Sequence, residues 1–396
     1  SNAEPSACAP VTHRHTTARS RTTASGSSAG HLCVARFGAP VLLADGAASV
    51  ATLPWWLGGS GHATLALNCN PARSRQLAGR MKSLKIIDGS PDLVEVQAGV
   101  TGANDVLVDV AAVGVSRDDF TALANPGVTP GRRFAGTVAA VGHAVTGFAV
   151  GDVVVSAPPG ACGACGACLR GDDAYCARAE VLYAGIRPGV DADGGLAGQV
   201  NVSEKFLALA PELDLAVAAF ACDTGVHAMH ALRSAGDAIT AGNTVAVLGT
   251  SALAACTRVL LDVVAAVEVL AISDYSAENQ AQVLADFAHD GIAAVLVMDR
   301  TQQACDFATA IAATGSAIVL AANGTGEALV QPMPVMRYEA SVRAIDYANR
   351  ADLIELLKVL KLSPLEVEHE RVCLDEFASF DADRLAAIEP GLVVVV

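Results

Sequence analysis

The sequence predicts an α/β protein in which a β-rich domain precedes a doubly wound parallel sheet. Short β-branched runs between Val106 and Val155, punctuated by Gly and Pro, mark the β-rich part. After about Leu215 the pattern changes to strand–helix alternation, the mark of a parallel sheet. Its strand-like runs are apolar throughout, as strands covered on both faces are. With 396 residues, 52% of them apolar, and a mean hydropathy of +0.42, the chain can build two or three domains with sizeable cores.

Taken in order, Ser1-Asn2-Ala3 reads as the scar of a cleaved tag and is set aside. Residues 4–80 hold seven Arg, no Lys and only Glu4 and Asp45 as acids, against 19 bases and 39 acids over residues 81–396. Ala9 to Gly30 has no apolar periodicity and is expected to be disordered. The preferred reading of residues 1–80 is a low-order leader upstream of a natural start at Met81, with a targeting peptide as the alternative. The more apolar stretch 31–70, with Trp55 and Trp56, could pack on the main body.

Residues 81–214 form the expected β-rich domain, with strands at Val106–Val115, Phe134–Val141 and Val153–Val155. Residues 215–344 form the parallel-sheet domain, with strands at Thr244–Leu248, Val267–Ile272, Ala293–Met298 and Ser316–Ala321. Helices are expected from about Ala252, over Ser276–His289, and from about Thr301. Residues 345–396 hold a helix from near Arg350, with Asp352 in its first turn and Lys358 and Lys361 in its last, then a β tail.

A net charge of −15 repels a nucleic-acid backbone, so nucleic acid is excluded as a partner. The longest apolar stretch, Thr244 to Ile272, is broken by Arg258, Asp262 and Glu268, so no membrane span is expected. Eleven cysteines in so long a chain are not a disulfide framework, and four of them crowd into one loop. Metal in a reducing, cytoplasmic compartment is the expectation.

That loop, Cys162, Cys165, Cys168 and Cys176, has the spacing C-x2-C-x2-C-x7-C among Gly and Ala. Four thiolates close a tetrahedron on zinc and leave no open position, so one structural zinc per chain is expected. Buried free cysteines do not cluster in this way. An iron–sulfur site would call for a shorter last gap ending in Cys-Pro.

The order GVSRDDF, GRRFAGTVAAVGHAVTGFAVGDVVV, cysteine loop and strand–helix alternation resembles the medium-chain dehydrogenase/reductase superfamily, in its zinc-containing alcohol dehydrogenase branch. ACDTGVHAMHAL and YANRADLIELL carry the resemblance on through Met81 to Val396. It implies a GroES-like domain, a Rossmann-type nucleotide-binding domain, hydride transfer between them with NADP or NAD, a small-molecule substrate, and a homodimer or homotetramer.

Departures from the family pattern define the expected site. Where members with a catalytic zinc have Cys, His and Cys or Asp as ligands, this chain has Ser116, Arg132 and Asp223. Neutral Ser is a poor ligand and Arg keeps its proton, so the second zinc is expected to be absent. Arg133 replaces a Glu. The Arg pair is expected either to plug the pocket, Arg132 pairing with Asp223, or to hold an anionic substrate group or an oxyanion. Asp118 lies where the family keeps its proton-relay hydroxyl, beside Asp119. Asp223, His227 and His230 fall on one helix face toward the cleft.

Of the expected Gly-x-Gly-x-x-Gly the chain keeps Gly249; Thr250 follows, Ser251 puts a side chain where the phosphates lie, and Ala254 ends the motif. Ser273, then Asp274, stand where an acid binds the NAD ribose. Arg117 and Arg350 match positions that contact the cofactor. Three functions follow: a reductase of a carbonyl or conjugated alkene without catalytic zinc, a redox-silent enzyme using the same cleft, and a binding relic of the family.

Overall fold

A computed structural model describes residues 80–396 except 88–89, 98, 100–101, 121–126, 159–161, 211–212, 288–290, 300, 322–329, 331, 347, 364–368 and 389–390. The expectations for residues 1–79, Trp55 and Trp56 among them, lie outside the described residues.

The first domain opens with a hairpin absent from the sequence reading, β1 (Arg80–Ile87) and β2 (Ser90–Gln97), so the boundary placed at Met81 falls one residue inside a strand. Around the long β3 (Asp105–Val115) are built β4 (Arg133–Val141), β5 (Val153–Ser156), β6 (Gln199–Ser203) and β7 (Leu207–Leu209). One edge of β3 pairs with β4. Its other edge takes β6 along the first half, Asp105 to Asp109. Between β5 and β6 the cysteine lobe carries two short helices, α1 (Gly166–Leu169) and α2 (Ala179–Tyr183). Val106, Val108, Val113, Phe134, Leu196 and Leu207 are fully buried in the domain's core.

The second domain begins with α3 (Leu215–Phe220), a π turn over Ala221–Gly225, and α4 (Val226–Ala235). Asp214 starts the run by accepting hydrogen bonds from Ala216 N and Val217 N. This is the one helical run among the described residues, Leu215–Ala238, long and apolar enough to cross a membrane, but 78% of its apolar stretch is buried within the protein.

The domain continues with β8 (Thr244–Leu248), α5 (Ala252–Val264), β9 (Glu268–Ile272), α6 (Ala277–Asp286), β10 (Ala294–Val297), α7 (Gln302–Ile311), β11 (Ala317–Leu320), α8 (Pro332–Arg337) and β12 (Ser341–Ala344). All pairings are parallel, in the order β9-β8-β10-β11-β12. The sheet is doubly wound: Leu260 and Leu353 belong to the core on one face, Ile292 and Phe307 to the core on the other. The four strands expected from apolar runs are present, and β12 joins them at the edge.

The chain then forms α9 (Arg350–Leu362), β13 (Arg371–Cys373), α10 (Leu374–Phe377), α11 (Ala382–Ala386) and β14 (Leu392–Val395). β14 pairs antiparallel with the second half of β3 and so returns the tail to the first domain's sheet.

Candidate functional site

In the cysteine lobe the Sγ atoms of Cys162, Cys165, Cys168 and Cys176 all lie within 4.8 Å of one another. Cys165 and Cys168 are 3.3 Å apart and Cys162 and Cys168 3.8 Å. Zinc–sulfur bonds near 2.3 Å give a tetrahedron with sulfur–sulfur edges of about 3.8 Å, so the donor set fits zinc. Backbone N–H groups favour the thiolate at two positions: those of Cys168 and Ala177 lower Cys165 to about 6, and those of Ala164 and Cys165 lower Cys162. Burial and the neighbouring thiols raise Cys168 to about 11. Four thiols this close cannot all ionise without a cation among them.

At the cleft, Arg132 corrects the first expectation. Its salt bridge runs to Asp119, Nε to Oδ1 at 2.9 Å, and not to Asp223. Asp119 is 1% exposed, and its other oxygen accepts from Ser116 N at 3.0 Å and Ser116 Oγ at 3.3 Å. One carboxylate therefore ties together two of the three residues that stand at ligand positions. Sequence reasoning gave Asp119 only a supporting part, because nothing local shows that it is enclosed. The side chain of Asp118 lies outside what the structure describes.

Asp223 sits in the π turn, pressed against β3. A Cβ on Gly114 would lie 2.8 Å from Asp223 Cβ and 2.8 Å from Ala219 O, so only Gly lets the helix come this close. Burial pushes the Asp223 carboxyl up to about 6, against the opposing pull of Arg133 and, more weakly, Arg132. Arg133 opens β4, half-buried and paired with Gly114 of β3, and among the described residues its side chain has no hydrogen bond or salt bridge. Its charge favours the ionised forms of Asp223 and Cys222 and the neutral form of His227.

The two histidines part company. His227 is held neutral by burial and donates its Nε2–H to Ala321 O, 2.6 Å away at the end of β11. His230 does not face the cleft: its Nδ1 lies 2.7 Å from Asp352 Oδ2 on α9, and Arg233 Nη1 reaches Asp352 Oδ1 at 2.6 Å. The pair locks α4 to α9.

For a dinucleotide the turn is retained and the phosphate end altered. Gly249 ends β8 at φ +124, a conformation open to Gly, and Thr250 and Ser251 follow. Ser251 is the N-cap of α5, its Oγ accepting from Ala254 N at 3.3 Å, so one donor of the helix terminus is already engaged. From the tail, a Cβ on Gly391 would lie 2.6 Å from Ala252 Cβ, so the last turn of the chain rests on the same terminus. Ser273 and Asp274 line a groove with Tyr275, Ser276 and Asp306. The Asp274 carboxylate accepts from Ser276 N at 2.9 Å and Ser276 Oγ at 3.0 Å. Arg117 lies in the turn after Ser116. Arg350 is corrected: its guanidinium donates to the carbonyls of Pro158, Lys205 and Leu207 in the first domain and serves as an interdomain staple. The groups present fit a dinucleotide held at the Gly249 turn, with weakened support for its phosphates.

The alcohol dehydrogenase GroES-like domain family matches residues 102–212. Cinnamyl alcohol dehydrogenase 5 of Arabidopsis thaliana is 32% identical over 120 residues, 28% of this chain and 34% of that protein. NADP-dependent alcohol dehydrogenase C of Mycobacterium bovis is 32% identical over 142 residues, 33% of this chain and 41% of that protein. The chain thus spans 34% and 41% of these two relatives' lengths. A thermostable alcohol dehydrogenase of Pyrobaculum aerophilum superposes with a TM-score of 0.64 at 23% identity, over 80% of this chain and 100% of that one, which establishes the shared fold. Residues 102–212 are therefore similar to the alcohol dehydrogenase GroES-like domain, and the described chain shares the two-domain fold of the alcohol dehydrogenase structure.

One arrangement escaped the sequence reading altogether. The cysteine lobe is docked on the start of α9: Asn349 Nδ2 reaches Gly171 O at 3.5 Å, and Asp173 accepts from the backbone N–H of Arg350. Asn349 and Asp352 also form a capping box, visible in the sequence as Asn-x-x-Asp ahead of an apolar helix.

Proposed function

We propose that the chain is an NAD(P)-dependent oxidoreductase that works without a catalytic zinc, reducing a carbonyl or conjugated alkene, and holds one structural zinc at Cys162, Cys165, Cys168 and Cys176. The observation that carries this reading is the exchange of partners at the cleft. Arg132 is committed to buried Asp119, while Arg133 stands half-buried beside Asp223 with no ion-pair partner among the described residues. A guanidinium without a counter-ion gains most where negative charge develops, so Arg133 takes the role of stabilising the oxyanion.

A bound NADH or NADPH supplies the hydride. Gly249 would allow its pyrophosphate to approach closely, and Ser273 and Asp274 would hold its ribose end. Ser116, fixed by Asp119, shapes the pocket wall. The substrate is a small molecule, and an unpaired Arg133 favours an anionic one. The names of the relatives, cinnamyl alcohol dehydrogenase and NADP-dependent alcohol dehydrogenase, support the reaction class.

One observation favours a second, redox-silent reading: the Ser251 hydroxyl and the Gly391 turn both occupy the end of α5 where phosphates would lie. Calorimetric titration with NADH and NADPH decides between them. Binding of either cofactor, with its oxidation by a panel of aldehydes, ketones and enones, supports the reductase. Binding of neither at millimolar concentration leaves the redox-silent reading.

A further inference from the structure

We propose that Asp223 is the proton donor of this cleft, delivering its proton to the carbonyl oxygen that Arg133 holds. This rests on the reductase reading above. Three structural facts lead to it. Asp223 stands where the branch has a zinc ligand, but its companions at the other two ligand positions, Ser116 and Arg132, are tied to Asp119 and cannot build a metal site with it. It is carried on a π turn, an irregularity that re-aims one side chain within a helix and recurs at functional sites. Among the described residues its carboxylate accepts only a long hydrogen bond from its neighbour Thr224, Oγ1 to Oδ2 at 3.4 Å, too weak to hold it as a structural acceptor.

The charged and titratable groups around Asp223 give it a proton to donate. Arg133 and Arg132 from β4 and its approach favour the carboxylate, and Asp119 opposes them. Within its own helix, Cys222 is a thiol whose pKa burial raises to about 12, and His227 is neutral. On the core side, α5 and α9 back the turn with apolar residues, Leu253, Leu353 and Leu356 sharing one cluster with Ala221 and Cys222. Burial therefore dominates, and the carboxyl keeps its proton to about 6, far above an ordinary aspartate.

The step balances. A bound nicotinamide would supply the hydride to the carbonyl carbon and be left oxidised, the carbonyl π pair moving to oxygen. Oxygen takes the Asp223 proton, forming the alcohol O–H as the carboxyl O–H breaks, and the carboxylate is reprotonated from solvent. Arg133 meets the charge that appears on oxygen before the proton arrives, and draws the Asp223 carboxylate afterwards.

The test compares wild type with Asp223→Asn and Asp223→Glu, each first checked by circular dichroism and melting. In the cofactor-free protein, the wild-type minus Asp223→Asn infrared difference spectrum should show a protonated-carboxyl band that fades as pH rises through about 6. With NADH or NADPH and a carbonyl substrate, Asp223→Asn should lose about 100-fold in kcat, with Asp223→Glu recovering part of it. The wild-type rate should fall as pH rises through that same titration, and the Asn variant should lack that limb. A folded Asp223→Asn variant that keeps the wild-type kcat and pH profile, or a carboxyl already ionised at about pH 5, overturns the assignment and leaves the reductase standing. A wild type that oxidises neither cofactor with any carbonyl overturns both.

Discussion

Arg132 donates its Nε–H to Asp119 Oδ1 at 2.9 Å, and the carboxylate that receives it is 1% exposed. This pair frees Arg133, the next residue, to stand at the cleft. Separating a buried ion pair by removing one partner leaves an uncompensated charge and costs about 3–5 kcal/mol. Arg132→Leu and Asp119→Leu should each lower stability by that order in urea unfolding. The double variant should lose clearly less than the sum, since neither charge is then left alone. Additive losses would show that the two residues act separately.

A second prediction concerns Asp352. Burial alone would raise its pKa, but His230, the Asn349 N–H and Arg233 outweigh that and hold it below the ordinary value. A carboxylate lowered in the folded state stabilises fully above its unfolded pKa, near 4, and loses that contribution as pH falls through the folded value. The melting temperature of wild type should therefore drop relative to Asp352→Asn as pH is taken below about 4. At pH 7 the variant should be the less stable protein. Parallel curves for the two proteins would remove Asp352 from the acid response.

How much of this was legible in the sequence depended on whether the signal was local. The cysteine loop was, because its four cysteines lie within fifteen residues and spacing alone brings them together. The strands β8 to β11 were, because continuous apolar runs mark strands buried on both faces. β12 was not: Ser341 to Ala344 is an exposed edge with no apolar run to betray it. The π turn under Asp223 leaves no compositional trace. The partner of Arg132 was misassigned because the choice between Asp119 and Asp223 depends on which carboxylate the fold encloses against the guanidinium. Arg350 sat at a recognisable family position, but the three carbonyls it binds come from residues about 145 to 190 positions away.

Metal content gives the third prediction. Protein dialysed against a weak chelator should retain close to one zinc per chain, and Cys168→Ser should lose it while keeping the circular dichroism of both domains. Because the lobe is docked on α9 through Asn349 and Arg350, the variant should also melt earlier. Two tightly held zinc ions per chain would contradict the reading of Ser116 and Arg132.

The fourth prediction concerns the altered phosphate turn. Ser251→Gly removes the Oγ that engages Ala254 N and should tighten NADH or NADPH several-fold by calorimetry. The stability cost should be only about a few tenths of a kcal/mol, since Gly is a tolerable N-cap. Unchanged affinity would mean that the cap does not compete with the phosphates.

The central claim, hydride transfer at a cleft where arginine has replaced the catalytic metal, is tested most directly by reductase kinetics on protein of known zinc content. NAD(P)H oxidation should proceed at full rate with one zinc per chain. Arg133→Met should lower kcat by about 100-fold or more without changing the zinc count, the scale expected for losing one group that stabilises an oxyanion. A rate that rises in proportion to a second bound zinc, or that is indifferent to Arg133→Met, would contradict it.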